Sequence, residues 1–247
     1  MTYCVGIKLD DGLVLASDSR TSAGVDYISV FNKTHHFSHP GEREIFILSA
    51  GNLGTTQEIV AILRREIEKN LESNVLKLDS MFDVAIKLGN ILQEVTRKIT
   101  PRAGVDFSCS FILGGRVRGE GTRLFKIYPE GNFIEATDET PFFQIGESKY
   151  GKPILDRIIS SELSVSQAVK CTLISFDSTM KSNLSVGLPI NLSTLRNNAN
   201  EDPVDLPKQI IYDEENTKFI ELRKCWDNGL KKSFDSLPDL EWFSKDE

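Results

Sequence analysis

The sequence predicts an α+β fold in which two antiparallel sheets lie between layers of helices. Segments with strand-type and helix-type apolar patterns follow one another in the order strands, two helices, strands, two helices, strands. Strand blocks alternating with adjacent amphipathic helices are typical of helices layered on sheets. The chain has 247 residues, 40% of them hydrophobic and 26% charged, which is enough for one such domain with a large core.

The first predicted element is a β-hairpin. Apolar residues alternate with other residues along positions 3–9, and this period of two indicates a strand. Residues 10–12 read Asp-Asp-Gly, a tight-turn signal, and a nearly continuous apolar run follows at 13–17. The hairpin therefore buries much of both strands and ends at the polar residue Asp18.

A second pair of strands and two helices come after the hairpin. Residues 27–37 and 44–50 read as extended segments, and Gly51 ends the second of them. Apolar residues then recur at helical spacing in two groups, at 60, 63, 67 and 71 and at 88, 92, 95 and 99. Pro101 is expected to close the second helix.

The second half of the chain repeats this order. Strands are predicted at 107–113, ending at the Gly-Gly pair 114–115, and at 124–128, 133–136 and 142–145. Helices are predicted near 154–159 and over 165–176, followed by short strands at 184–186 and 190–192, a polar loop over 196–205 and a hairpin that pairs 210–212 with 219–222. The apolar stripe Trp226, Leu230, Phe234 and Leu237 predicts a C-terminal helix. We expect residues 1–192 to form the core, with the loop, terminal strands and helix of 193–247 packed on the same domain.

Charge and composition argue against several classes of protein. The formal net charge of −7 disfavours nucleic acid or an anionic membrane surface as the main partner. No run approaches the roughly 18 apolar residues of a membrane span, and no targeting segment is visible. The four cysteines are scattered without paired spacing, which favours reduced thiols and a cytoplasmic location.

The first two residues suggest a nucleophile. Aminopeptidases commonly remove Met1 when a small residue follows, and Thr2 would then be the N-terminus. A free α-amino group has an unperturbed pKa of about 7.7–8.0, so it can serve as the base for the hydroxyl of the same residue.

Several short motifs together resemble a known family. Thr2, the run Ala-Ser-Asp-Ser-Arg at 16–20, Lys33 and the run Ser-Ala-Gly at 49–51 resemble the N-terminal half of proteasome β-type subunits. The opening at 2–20 and the stretch at 177–190 are most similar to the bacterial Anbu subfamily. The resemblance covers most of residues 2–192. It implies the four-layer α-β-β-α sandwich of N-terminal-nucleophile hydrolases, with a C-terminal hairpin and helix as an extension.

The resemblance also implies four catalytic residues in the N-terminal half. Thr2 would be the nucleophile, and Asp18, sixteen residues later, would orient the site. Lys33 would lower the pKa of the nucleophile by its charge, and the Gly51 N–H would stabilise the oxyanion. The family spacing would put this lysine at position 34, which is Thr34 here, so Lys33 lies one residue too early. We therefore expect a bulge or a shorter loop after residue 24.

Three further site residues are implied in the second half. Ser148 matches the family serine that hydrogen-bonds the free amine, and Asp177 and Ser182 match an Asp and a second Ser. The family spacing between that Asp and Ser is three residues, whereas here it is five. Asp177 is therefore open to a second interpretation, in which it caps or closes the preceding helix.

The function implied is a threonine hydrolase that cleaves peptide or other amide bonds. The resemblance further implies a homo-oligomer, either a ring or an open helical assembly, with the terminal helix as a candidate contact. Two alternatives remain. Retention of Met1 would favour a structural assembly with a vestigial site, because the base would be tied up in a peptide bond. The substrate could also be a small amide or an isopeptide.

We expect no metal and no cofactor. His35, His36 and His39 lack a carboxylate or Cys at ligand spacing, and neighbours in a strand point to opposite faces. The glycine-rich stretches at 51–54 and 114–115 lack the Lys-Ser/Thr ending of a phosphate loop. Cys4 is interpreted as a packed thiol rather than a second nucleophile.

Overall fold

The computed structural model describes residues 2–22, 28–98, 105–197 and 206–240. The strands are β1 (Tyr3–Leu9), β2 (Gly12–Asp18), β3 (Arg20–Ser22), β4 (Ile28–Val30), β5 (Thr34–His39), β6 (Arg43–Gly51), β7 (Cys109–Val117), β8 (Arg123–Ile127), β9 (Phe133–Glu135), β10 (Phe142–Gly146), β11 (Ile190–Arg196) and β12 (Lys208–Tyr212). The helices are α1 (Leu53–Glu68), α2 (Met81–Lys98), α3 (Lys152–Ile158), α4 (Val165–Ser182) and α5 (Thr217–Asp235). Among these, no helix is long and apolar enough to cross a membrane.

The strands form two five-stranded antiparallel sheets. One sheet has the order β10-β1-β2-β11-β12 and the other the order β5-β6-β7-β8-β9, while β3 and β4 form a separate ribbon. In the first sheet the register places Cys4 opposite Ser17 and Ile190 opposite Asp18. The start of β1 and the end of β2 therefore lie side by side at the same end of the sheet's central strands.

Three separate apolar cores define four layers. The first core lies between α1, α2 and the second sheet and includes Leu63, Leu88 and Phe111. The second lies between the two sheets and includes Leu15 and Phe46. The third lies between the first sheet and α3, α4 and α5, and is made of residues such as Tyr3, Leu155, Phe176 and Phe219. The four-layer α-β-β-α prediction is confirmed.

Side-chain caps fix where three of the helices begin. The Asn52 side chain accepts a hydrogen bond from the Thr55 N–H at the start of α1. Ser164 and Gln167 form a reciprocal capping box at the start of α4, and Asn216 accepts from the Phe219 N–H at the start of α5. Such caps satisfy N–H groups that have no partner within the helix.

Several strand boundaries differ from the prediction, among them the end of β7 and the extent of the 27–37 segment. β7 does not end at the Gly-Gly pair but continues to Val117, because a glycine is needed there for packing rather than as a break. A Cβ at Gly115 would lie 2.2 Å from the Glu44 carbonyl oxygen of the neighbouring strand β6. The single extended segment predicted over 27–37 is two strands, β4 and β5, separated by residues 31–33. Residue 27 lies outside the described residues, as does Pro101, which is predicted to close the second helix.

The predicted terminal hairpin is wrong. β12 contains 210–212 but pairs with β11, and residues 219–222 lie in α5 because Asn216 caps a helix there. The strand predicted at 184–186 is a turn, in which the Asn183 side chain accepts from the Ser185 N–H. Asx turns of this kind compete with extended pairing. Residues 198–205 of the predicted polar loop are outside the described part of the chain.

Candidate active site

The backbone of Thr2 is fixed by the end of strand β10. The Thr2 carbonyl oxygen accepts a hydrogen bond from the Glu147 N–H at 2.6 Å. Gly146, with φ at +79°, lies so close that a Cβ there would be 2.1 Å from the Thr2 oxygen. Glycine adopts this backbone conformation without the steric cost of other residues. The half-buried Thr2 is therefore held against the sheet by backbone contacts on its C-terminal side.

Asp18 connects the start of β1 to a buried cation. Its Oδ1 accepts from the Tyr3 N–H at 2.9 Å and from the Lys33 Nζ at 2.7 Å. Its Oδ2 accepts from the Gly187 N–H at 3.4 Å. Burial raises the pKa of the Asp18 carboxyl above its usual range, and the Lys33 charge and the two N–H donors oppose that rise. All three donors favour the charged form of this carboxyl group.

The Lys33 side chain extends to the Asp18 carboxylate. Besides Asp18, its Nζ donates to the Arg20 carbonyl oxygen at 2.6 Å, and only 7% of the Lys33 side chain is exposed. The hydroxyl group of the adjacent Thr34 forms a hydrogen bond with that of Ser17, with 2.9 Å between the two oxygens. Lys33 thus reaches Asp18 from the position directly before β5, despite the one-residue difference in spacing. The segment after residue 24, where a compensating bulge or shorter loop is predicted, lies outside the described residues.

Gly51 lies at the junction of β6 and α1. Its φ of +112° is a conformation that residues with side chains rarely adopt, and a Cβ would lie 2.4 Å from the Ser108 carbonyl oxygen. Asn52, the N-cap of α1, follows directly. The N-terminus of a helix carries a partial positive charge, so this junction suits a developing negative charge.

Comparison with known proteins identifies the family. Residues 2–194 match the family model for the proteasome subunit. The chain belongs to the proteasome family. Anbu (ancestral beta-subunit) from Yersinia bercovieri is 48% identical, with 97% of this chain and 99% of that chain covered and a TM-score of 0.88. The Anbu complex from Pseudomonas aeruginosa, solved as a helical assembly, is 40% identical, with 98% and 100% covered and a TM-score of 0.91.

Curated proteasome subunits are more distant relatives. Proteasome subunit beta from Haloquadratum walsbyi is 28% identical over 213 residues, which are 86% of this chain and 79% of that subunit. The resemblance to proteasome β-type subunits, and most of all to Anbu, is confirmed.

Asp177 of this proteasome-family chain lies in a different network. Its fully buried carboxylate accepts from the Arg223 Nε of α5, and its Oδ2 lies 3.1 Å from the Lys181 Nζ. These contacts join α4 to α5 and do not involve Thr2, Asp18 or Lys33. The interpretation that Asp177 ends a helix is wrong, because α4 continues to Ser182. Its role in the site stays a prediction that these contacts do not support.

The two serines implied by the resemblance are exposed. Ser148 follows Glu147, whose N–H binds the Thr2 carbonyl oxygen, so it lies close to Thr2 in space. Ser182 is the last residue of α4 and precedes Asn183. A catalytic role for either serine stays a prediction.

Glu147 and Asn183 are site residues that reasoning from the sequence missed. The Glu147 carboxylate accepts from the Asn183 Nδ2 at 2.9 Å and from the Lys149 N–H at 2.8 Å. The turn that Asn183 begins also receives Arg20, whose Nη1 donates to the Leu184 carbonyl at 2.9 Å. The turn between α4 and β11 is thereby fastened to the Thr2 and Asp18 surroundings. The pairing spans 36 residues, and no local pattern in the sequence indicates it.

Two other groups near the strands have packing roles. The Cys4 thiol is fully buried and donates to the Ser49 carbonyl oxygen at 3.6 Å, and burial raises the pKa of this thiol far above its usual range. His36 stacks on Phe46 and its Nε2 lies 2.5 Å from the Glu44 carboxylate. Within the described ranges, no group of three or more His, Cys, Asp or Glu side chains could hold a metal ion.

Proposed function

We propose that the chain is a threonine hydrolase that cleaves amide bonds through the Thr2 hydroxyl once Met1 has been removed. The observation that carries the proposal is the buried Asp18 carboxylate, which binds both the Tyr3 N–H and the Lys33 ammonium. Asp18 thus links a buried cation to the strand residue that directly follows the proposed nucleophile. Membership of the proteasome family supports the same reaction class.

The proposed reaction begins with proton transfer within one residue. The Thr2 α-amino group accepts the hydroxyl proton while Oγ1 forms a bond to the substrate carbonyl carbon. The Lys33 ammonium stabilises the developing alkoxide, and the Gly51 N–H at the start of α1 stabilises the oxyanion. The C–N bond then breaks, the amine product leaves with the transferred proton, and an ester to Thr2 remains.

Water completes the cycle in the proposed mechanism. The α-amino group accepts a proton from water as the water oxygen attacks the ester, and Oγ1 leaves with that proton to regenerate Thr2. Ser148 is proposed to bind the free amine, and its position directly after Glu147 supports this role. Asp177 and Ser182 have no assigned step, because the contacts of Asp177 with Arg223 and Lys181 serve the α4–α5 junction.

Peptide hydrolysis tests this function directly. Full-length protein is incubated with a panel of fluorogenic peptides, and initial rates are compared for wild type, Thr2→Ser and Thr2→Ala. We expect Thr2→Ser to keep measurable turnover and Thr2→Ala to lose it, because only the first retains a hydroxyl beside the amine. Equal rates for wild type and Thr2→Ala would contradict the proposal. The same assay with small amides and isopeptides tests the amidase alternative.

We also propose that the protein acts as a homo-oligomer in the cytoplasm. The related Pseudomonas aeruginosa complex is a helical assembly. Helix α5 and the residues after it present Leu230, Phe234, Leu237 and Leu240 to solvent, a stripe of the kind that subunit contacts cover. The four free cysteines suit a reducing compartment. Light scattering that gives a monomer at micromolar concentration would contradict the assembly, which is also the basis of the scaffold alternative.

A further inference from the structure

A cavity opens beside Lys33 of the proposed site, and the proposed reaction does not explain its presence. It has a volume of about 590 Å³ and lies between residues 31–35, the end of β6 and one face of α1 along its whole length. Lys33 and Ser49 line it on the side of the site, and Val60 and Ala61 contribute part of an apolar wall. The role inferred for this cavity rests on the proposed function, because it depends on Lys33 and Gly51 acting in that reaction.

The cavity is placed to receive a substrate side chain. Lys33 lines the cavity and also binds Asp18, which in turn binds the residue after Thr2. Gly51, the proposed oxyanion donor, lies between the lining residues Ser49 and Leu53. A carbonyl group held between Thr2 and Gly51 therefore has its own side chain next to the cavity opening.

The charged residues of the lining are predominantly basic. Arg64 and Arg65 of α1 line the cavity together with a single carboxylate, that of Glu68. Lys33 is already paired with Asp18, so the two arginines and Glu68 leave a net charge of 2 − 1 = +1. In the part of the chain that the structure describes, neither guanidinium makes an ion pair. The lining thus differs in sign from the chain as a whole, which has a net charge of −7.

His35 adds a neutral polar group to the same wall. Burial and the neighbouring Arg64 lower the pKa of His35 to about 4, so its ring is uncharged at neutral pH. An uncharged imidazole offers one donor and one acceptor and adds no further charge. The cavity thus combines an apolar wall, neutral polar groups and two arginines that have no ion-pair partner among the described residues.

We propose that this cavity binds the carboxylate side chain of an Asp or Glu residue immediately before the bond that is cleaved. Guanidinium groups bind carboxylates with paired, charge-assisted hydrogen bonds, which gives both affinity and geometric selectivity. The substrate class is then a peptide or protein segment with an acidic residue at the cleaved position. Arg64 determines this preference, because it lies next to both the cavity and His35.

Binding to an inactive variant tests the cavity without requiring turnover. Fluorescently labelled peptides that differ only in Glu, Gln or Lys at the cleaved position are titrated into assembled, full-length Thr2→Ala protein, and Kd is measured by fluorescence polarisation. We expect the Glu peptide to bind at least 10-fold more tightly than the Gln peptide. Adding Arg64→Glu removes this preference and favours the Lys peptide. Arg157→Glu on α3, outside the cavity, is the matched control that changes net charge equally and leaves the preference intact.

Hydrolysis by wild-type protein separates the two proposals. Preferential binding of the Glu peptide without cleavage of any peptide would support the cavity and contradict the threonine hydrolase. Cleavage of all three peptides with no preference for Glu would overturn the cavity assignment and leave the reaction class standing. Failure of every peptide to bind, or a Glu preference that survives Arg64→Glu, also overturns the assignment.

Discussion

The Asp18 carboxylate lies 2.7 Å from the Lys33 ammonium, and both groups are almost fully buried. Buried ion pairs are costly to break on one side, because the remaining charge has lost both its partner and its hydration. Here the same carboxylate also holds the Tyr3 N–H next to Thr2. The stability of the fold and the placement of the proposed nucleophile are therefore linked through one carboxylate.

Removal of the Lys33 charge tests this pair. We expect Lys33→Met to lower the free energy of unfolding by about 3–5 kcal/mol, since it leaves the buried Asp18 without its cation. In the double variant Asp18→Asn, Lys33→Met, the free energy of unfolding is expected to fall by less, because no buried charge remains. The Asn side chain can also still accept a hydrogen bond from the Tyr3 N–H. Urea denaturation at one fixed protein concentration measures both. If the effects of Asp18→Asn alone and Lys33→Met alone add up to the effect of the double variant, the two residues are not coupled.

Substitution of Gly146 tests whether the end of β10 fixes the position of Thr2. Ala at this position forces a side chain to within 2.1 Å of the Thr2 carbonyl oxygen, which is backbone and cannot move alone. We expect Gly146→Ala to displace Thr2 and to abolish its reaction with a threonine-directed probe. Gly119 has a similar φ of +83° but nothing within 4 Å, so Gly119→Ala carries only the conformational cost of about 1 kcal/mol. Equal probe labelling of the two variants would contradict this view of β10.

At the junction of α4 and α5, substitution of Arg223 is expected to destabilise the protein more than substitution of Asp177. Arg223→Ala leaves the fully buried Asp177 carboxylate with only the half-exposed Lys181, and we expect a loss of about 3 kcal/mol in the free energy of unfolding. Asp177→Asn is expected to cost less, because the Arg223 side chain is 37% exposed and can be hydrated. Lys224→Ala, an exposed neighbour, serves as the control in thermal and urea denaturation. A larger loss for Asp177→Asn would contradict the argument.

His35 predicts a pH dependence of stability. Its pKa in the folded state is about 4, below the usual value of 6.5, so the unfolded chain binds more protons between these values. Stability contributed by the neutral ring is therefore fully present above pH 6.5 and is lost as pH falls towards 4. The denaturation midpoint is measured from pH 4 to 7.5 for wild type and for His35→Gln. The slope of the midpoint against pH should differ between the two proteins only between pH 4 and 6.5. Parallel curves would contradict the assignment.

The local parts of the fold and site can be predicted from sequence. The alternating pattern of 3–9 and the turn at 10–12 indicate the first hairpin, and its register brings Asp18 next to Tyr3. Lys33 and Gly51 can be singled out because they lie in short motifs that resemble a family. Each of these features depends on a few neighbouring residues.

The remaining contacts depend on long-range packing that no local pattern encodes. Arg223 meets Asp177 across 46 residues, and Asn183 meets Glu147 across 36. The apolar pattern of residues 219–222 fits a strand as well as a helix, and the Asn216 cap decides for a helix. The glycines of β7 resemble a strand end in sequence, because the close approach of β6 is visible only in three dimensions.

Whether Thr2 is the N-terminal nucleophile can be decided by intact-mass spectrometry with a threonine-directed covalent probe. Protein purified from its own host is weighed before and after reaction with the probe, alongside Thr2→Ala. We predict a mass that lacks one methionine and a single probe adduct that disappears in Thr2→Ala. Retained Met1 with no adduct would contradict the assignment of Thr2 and would favour a structural assembly with an inactive site.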